Sequence, residues 1–197
     1  MIIFGIDPGP VESAYLVFED INFEDSKFDF EKRTFQSFLK ERLENSKINL
    51  FEYAKIENEA LLIQIQKIID YYFDEDIIFA IEGIVNYGMP VGNNTIRTIT
   101  YYGRLYQFLL ARGVKKEDIY IVSRQEVKKH HCGGATVAKD GNIRQALIDK
   151  YGEPGTQKNV GFTYGIVNDM WSAFGIATYI YESIIQGKEI LNIYSHG

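Results

Sequence analysis

Apolar residues fall into short unbroken runs in the first part of the chain and into helical spacing farther along. Residues 2–6, "IIFGI", are continuously apolar, which predicts a central strand buried on both faces. After the turn "DPGP" comes "SAYLVFED", residues 13–20, its expected hairpin neighbour. "NLFEYAKI", residues 49–56, reads as a third strand. "ENEALLIQIQKIIDYYF" then carries apolar residues at helical spacing, with Asn58 as its cap. "DIIFAIEG", residues 76–83, predicts a fourth strand, and "TIRTITYYGRLYQFLLARG" a helix stopped by Gly113.

Farther on, "DIYIVS" is a short buried strand, "RQEVKKHH" a helix and "CGGATVA" a loop. "KDGNIRQALIDKYG" reads as a helix stopped by Gly152, "EPGTQKNVGFTYG" as a loop and "NDMWSAFGIATYIYESIIQ" as a final amphipathic helix. Residues 21–48 are the least regular: "FDFEKRTF" alternates like an edge strand, and "TFQSFLKERLEN" has helical spacing. Three antiparallel-capable strands followed by strands separated by helices predict an α/β fold, a mixed sheet flanked by helices. At 197 residues the simplest organisation is one domain.

Composition removes several classes. No run of eighteen apolar residues occurs, which excludes a membrane-spanning helix. The first residues lack the basic region and cleavage site of a secretory signal, and Cys132 is the only cysteine, so a reducing, cytoplasmic setting is expected. The net charge of −6 is unevenly spread. Residues 1–82 carry 8 Lys and Arg against 18 Asp and Glu, whereas residues 112–150 carry 9 against 5. A polyanion could use that basic middle, or the asymmetry could be ordinary surface.

Three carboxylates stand at element ends: Asp7 closing the first strand, Glu82 closing the fourth and Asp169 opening the last helix. Each has a plainer reading alone, an Asx-turn for Asp7 or a helix cap for Asp169 or Asn168. If the first and fourth strands are neighbours, Asp7 and Glu82 face each other. Two carboxylates about 4 Å apart repel by about 4 kcal/mol at an effective dielectric near 20. Such a pair needs a proton, a basic side chain or a cation. Oxygen ligands without histidine favour Mg²⁺ or Mn²⁺ over zinc, and paired hard cations serve phosphodiester hydrolysis. "HHC", residues 130–132, is a poor zinc site because three consecutive residues do not converge on one tetrahedral ion. His131 stays an outside candidate for a general acid or base.

"FGIDPGP", "FAIEG" and "NDMWSAFGIA" resemble, in that order, the acidic motifs of RuvC-type Holliday junction resolvases in the RNase H-like superfamily. "EVKKHHCGGATVAKDGNIRQAL", residues 126–147, is similar to the segment in which a Val-Lys pair leads into a glycine loop. The pattern resembles phage and prophage RuvC-like proteins more than the cellular resolvase, with residues 21–48 as an insertion. The resemblance implies an RNase H-like fold with Asp7, Glu82 and Asp169 as catalytic, metal-binding acids for Mg²⁺ or Mn²⁺. It makes Lys128 and Lys139 the lysines near the scissile phosphate, branched DNA the substrate and a homodimer the assembly; the helix at 95–112, with Tyr101, Tyr102 and Leu105, is either a dimer surface or equally a core helix.

The chain departs from this pattern twice. Ser172 stands where a fourth acid is common, and Val85 stands where an aromatic wedge is expected, with Tyr87 and Met89 the nearest bulky residues. The expected function is a metal-dependent endonuclease on branched DNA. The alternatives are a structure-selective DNA-binding protein with little or no catalysis and an RNase H-like nuclease on other nucleic acids.

Overall fold

The computed structural model describes residues 1–20, 48–73, 75–85, 88, 90–134 and 140–190. β1 (Ile2–Asp7), β2 (Glu12–Asp20), β3 (Ile48–Glu57), β4 (Ile77–Gly83) and β5 (Ile119–Ser123) form a mixed sheet in the order β3-β2-β1-β4-β5. β2 is antiparallel to β1 and β3, while β4 runs parallel to β1 and β5 parallel to β4. The topology follows from the connections. A tight turn can only return β2 beside β1, whereas parallel neighbours need a crossover. That crossover is α1 (Asn58–Tyr71) before β4 and α2 (Asn93–Ala111) before β5.

Both faces of the sheet are covered, which is why β1 reads as an unbroken apolar run. Ile2, Phe4, Ile6, Phe79 and Ile81 pack against α1 and α2. Ile3, Leu16, Ile78, Ala80 and Val122 pack on the opposite side against α3 (Arg124–His131), α4 (Asp140–Tyr151) and α5 (Met170–Ile185). Gly5 sits where α5 comes closest: a Cβ there would lie 2.2 Å from the Ala173 carbonyl oxygen and 2.7 Å from the Ala177 Cβ. The absence of a side chain at residue 5 therefore sets the height of α5 over β1.

The turn after Asp7 is held from two sides. The Gly9 amide donates to Ser13 Oγ at 3.2 Å, and Asn58 Nδ2 donates to the Gly9 carbonyl at 3.1 Å. Ser13 Oγ in turn donates to Asn58 Oδ1 at 2.7 Å. Asn58 is thus not the cap of α1. It lies inside the helix, and its side chain brackets the β1–β2 turn.

Other expectations are also corrected. The segment 153–165 contains a small hairpin, β6 (Gly155–Thr156) with β7 (Asn159–Val160). Of the two readings of the helix at 95–112, the core one holds for Tyr101, Tyr102 and Leu105, which are buried against the sheet. The segment at 21–48, with its expected strand and helix, lies outside the described residues except for Ile48, which opens β3. Among the described residues, no helix is long and apolar enough to cross a membrane.

Candidate active site

Strand parity places the acids. Along β1, Ile3 and Gly5 face α5, so Asp7, two residues on, belongs to the same side. Along β4, Ile78 and Ala80 face α5, and Glu82 follows them. Ile6 pairs with Ile81, and one more step in that register brings Asp7 level with Glu82. The third acid comes from the helix. Ala173 rests on Gly5, and Asp169 lies one turn earlier on the same face. A helical turn advances about 5.4 Å and two strand residues about 6.6 Å, so stacking at Gly5 sets Asp169 near Asp7. Asp169 occupies the position before α5 but makes no side-chain cap, which leaves its carboxylate to the rim.

The three groups are close enough to act on one another electrostatically. Burial pushes the Asp7 carboxyl up to about 7, with Glu82 and Asp169 adding to the rise. Arg124 and a hydrogen bond with Ser172 act in the opposite direction. Ser172 therefore stands beside Asp7 as a hydroxyl partner at the place where a fourth acid was sought. Two cations flank the acids. Arg124 Nη1 lies 3.0 and 3.3 Å from the two Glu82 carboxylate oxygens. Lys55 Nζ lies 2.8 Å from Asp169 Oδ2.

The sequence reading did not single out Lys55 or Arg124. Lys55 pairs in register with Ala14, which pairs with Asp7, so one row across three strands carries it to the site. The pairing of β2 with β3 was not readable across residues 21–47. Arg124 follows β5 directly, where Ser123 Oγ caps α3 by accepting from the Glu126 amide at 3.2 Å. Its signal was an arginine at the end of the strand beside β4.

Three carboxylates face two flanking cations at this rim, and desolvation raises the central carboxyl to about 7, so it is partly protonated at neutral pH. An all-oxygen donor set with surplus negative charge fits a hard divalent cation such as Mg²⁺ or Mn²⁺. A cavity of about 450 Å³ next to it is lined by Glu82, Val85, Ser123, Arg124, Gln125 and Lys128, so Lys128 borders the same space as the acid of β4. Lys139, Tyr87 and Met89 lie outside the described residues.

His130 and His131 belong elsewhere. Glu182 lies thirteen positions beyond Asp169, about 20 Å along the helix axis. There it binds His130 Nε2 at 2.8 Å, Lys150 Nζ at 2.6 Å and Tyr151 Oη at 2.6 Å. His131 Nε2 lies 2.8 Å from the Gly175 carbonyl, so the half-buried ring of this outside candidate is engaged by the middle of α5 rather than by the three acids. The ligand atoms of His130, His131 and Glu182 lie within 4.8 Å of one another, but Lys150 already supplies the compensating positive charge. Burial favours protonation of Glu182, yet the bonds from His130, Lys150 and Tyr151 outweigh it and hold the carboxyl down at about 2. Replacing Glu182 with Gln is expected to destabilise the fold by about 2 kcal/mol in urea unfolding, through the weakened charged bonds.

No protein-family model and no curated relative matches the sequence. The solved structure of Thermus thermophilus RuvC matches with a TM-score of 0.63 at 13% identity, over 96% of this chain and 99% of that one. The T. thermophilus RuvC in complex with Holliday junction substrate matches with 0.61 at 11% identity, again over 96% and 99%. The chain therefore has the RuvC-type, RNase H-like fold.

Proposed function

We propose that the chain is a metal-dependent endonuclease that hydrolyses phosphodiesters in branched DNA, four-way junctions among them. The observation that carries this reading is the meeting of Asp7, Glu82 and Asp169 at one sheet rim, with Asp7 half-buried and its carboxyl raised to about 7. The likeness to a RuvC bound to a Holliday junction points to the same substrate class.

Asp7, Glu82 and Asp169 would hold the cation, Mg²⁺ or Mn²⁺. When bound, such an ion supplies Lewis acidity toward the phosphate and eases deprotonation of the attacking water. Glu82 would share the cation and help to orient that water. Lys128, on the cavity shared with Glu82, would position the phosphate and offset charge in the transition state, as would Lys139. Lys55 and Arg124 balance the acids in the absence of a cation and so hold the rim together. Two symmetric nicks in a junction call for a homodimer presenting two such sites. The chain would act as one nuclease domain in the cytoplasm, and a phage-type enzyme of this kind would clear branches from replicated DNA.

Labelled four-way junction and linear duplex, incubated with Mg²⁺ or Mn²⁺, test the reading directly. Paired nicks in the junction and little cutting of the duplex are expected. Junction binding without cleavage in either metal would instead establish a structure-selective binding protein, the reading favoured by Ser172 at the fourth position. Lys128→Ala is expected to lower kcat/KM roughly tenfold to a hundredfold with an unchanged melting temperature. Unchanged turnover would remove that lysine from the site.

A further inference from the structure

Lys55 and Lys128 stand on opposite flanks of the three acids. Lys55 belongs to β3, one edge of the sheet, whereas Lys128 is carried by α3 directly after β5, the other edge. In the row from Lys55 to Asp7 the only residue between them is Ala14, which is buried in the core layer shared with α5. An alanine there is a low surface for the four-carbon stem of Lys55 to cross, and the ammonium reaches Asp169 Oδ2 at 2.8 Å. Besides Asp169, the carboxylates of Glu12 and Asp7 act on that ammonium.

This ion pair is built unlike the other one on α5. The Glu182 side chain, bound by His130, Lys150 and Tyr151, is only 3% exposed. The side chains of Lys55 and Asp169 are 40% and 53% exposed. A pair this open adds little to stability, so its ammonium exchanges one anion for another at small cost. A cation held by the three acids competes with Lys55 for Asp169, because both need the same carboxylate and the two positive charges repel. The displaced ammonium stays within a side chain's reach of any anion brought to the acids, and in the nuclease reading that anion is a phosphodiester.

We infer that Lys55 is a substrate-binding lysine. It pairs with Asp169 while the acids are empty, and with a non-bridging oxygen of the phosphodiester at the acids once they hold a cation. Lys55 and Lys128 then grip the DNA backbone from the two sides of the acids. The inference rests on the nuclease reading and gives Lys55 a contact with DNA beyond its part in balancing charge.

Calorimetric titration of Mn²⁺ into the DNA-free protein reads the first half of this exchange. Lys55→Gln should bind Mn²⁺ about threefold to tenfold more tightly than wild type, with the melting temperature retained. Binding of a four-way junction in Ca²⁺, another oxygen-seeking cation, reads the second half. There Lys55→Gln should bind about tenfold more weakly and lower the salt slope by about one, and Lys55→Arg should restore both. In EDTA, where Asp169 keeps the ammonium, the slopes of wild type and Lys55→Gln should coincide. Equal slopes in Ca²⁺, or no junction binding there, would overturn the contact and leave Lys55 a counter-ion of Asp169 or Glu12. Unchanged Mn²⁺ affinity would overturn the exchange. These titrations need no cleavage. A wild type that cuts junctions yet matches Lys55→Gln in slope removes the contact alone, while the slope difference without cutting removes the nuclease reading alone.

Discussion

Asp7→Asn is expected to reduce junction cleavage by roughly a thousandfold while making the metal-free protein more stable. The two effects have one origin. Asp7 lies under α5 beside two other acids, and its ionised form is disfavoured by burial first and by Glu82 and Asp169 next. Raising an aspartate from its ordinary value to about 7 corresponds to a destabilisation of up to about 4 kcal/mol once it ionises. Asparagine keeps the shape without the charge and removes that penalty, together with one of the oxygens a cation needs. Thermal unfolding in EDTA should show the rise, and a lower melting temperature would contradict the picture of a frustrated acid.

The pH dependence sharpens the same result. A carboxyl raised in the fold contributes stability that is present below about pH 4 and lost as pH rises through about 7. His131 acts in the opposite sense. Burial pushes its imidazole down to about 4, so stability is present above about pH 6.5 and lost as pH falls through about 4. In the metal-free wild type these two slopes oppose each other across the same window, and unfolding free energy should be nearly flat there. Asp7→Asn removes one of them and should become steeply less stable between about pH 6.5 and 4, by about 3 kcal/mol. Identical profiles for the two proteins would show that Asp7 does not titrate as its surroundings require.

Gly5→Ala is the second large effect, and it is mechanical. The new methyl would fall 2.2 Å from the Ala173 carbonyl oxygen, a backbone atom that moves only if α5 moves. Lifting the helix opens the core between β1 and α5 and also carries Asp169 away from Asp7. A loss of at least about 3 kcal/mol in urea unfolding is expected. Cleavage should fall further than the remaining folded fraction explains. Near-normal stability with near-normal cleavage would mean that α5 tolerates displacement and that the acids are not held by this contact. Ala177→Gly, which relieves the second contact but not the first, should restore little.

What could be read in advance follows from period and position. Runs such as those of β1 and β4 announce buried strands, and a carboxylate directly after such a run stands out because nothing apolar explains it. The helices were equally plain, since fourteen to nineteen residues of regular spacing leave little ambiguity in α1 and α2. The hairpin of β6 and β7 was missed because strands of two residues have no period to detect. Asn58 was misassigned because a polar residue before an apolar helix looks the same whether it caps the helix or brackets a distant turn. Lys55 and Arg124 were missed for a related reason: their partners lie across the sheet, and strand register is not written in spacing. Glu182 was the overlooked clue to the histidines. A lone acid within the otherwise apolar α5 demanded buried partners, and His130, Lys150 and Tyr151 are those partners.

β2 ends and β3 begins with Asp20 paired to Ile48, at the opposite end of the sheet from the row of Asp7, Ala14 and Lys55. Asp20 lies six positions beyond Ala14 along β2, a span of about 20 Å. Both ends of the long connection are therefore anchored at the end of the sheet away from Asp7. A fluorophore or an affinity handle grafted between those two residues is expected to be attached about 20 Å along the strands from the three acids, so that labelling should leave them untouched.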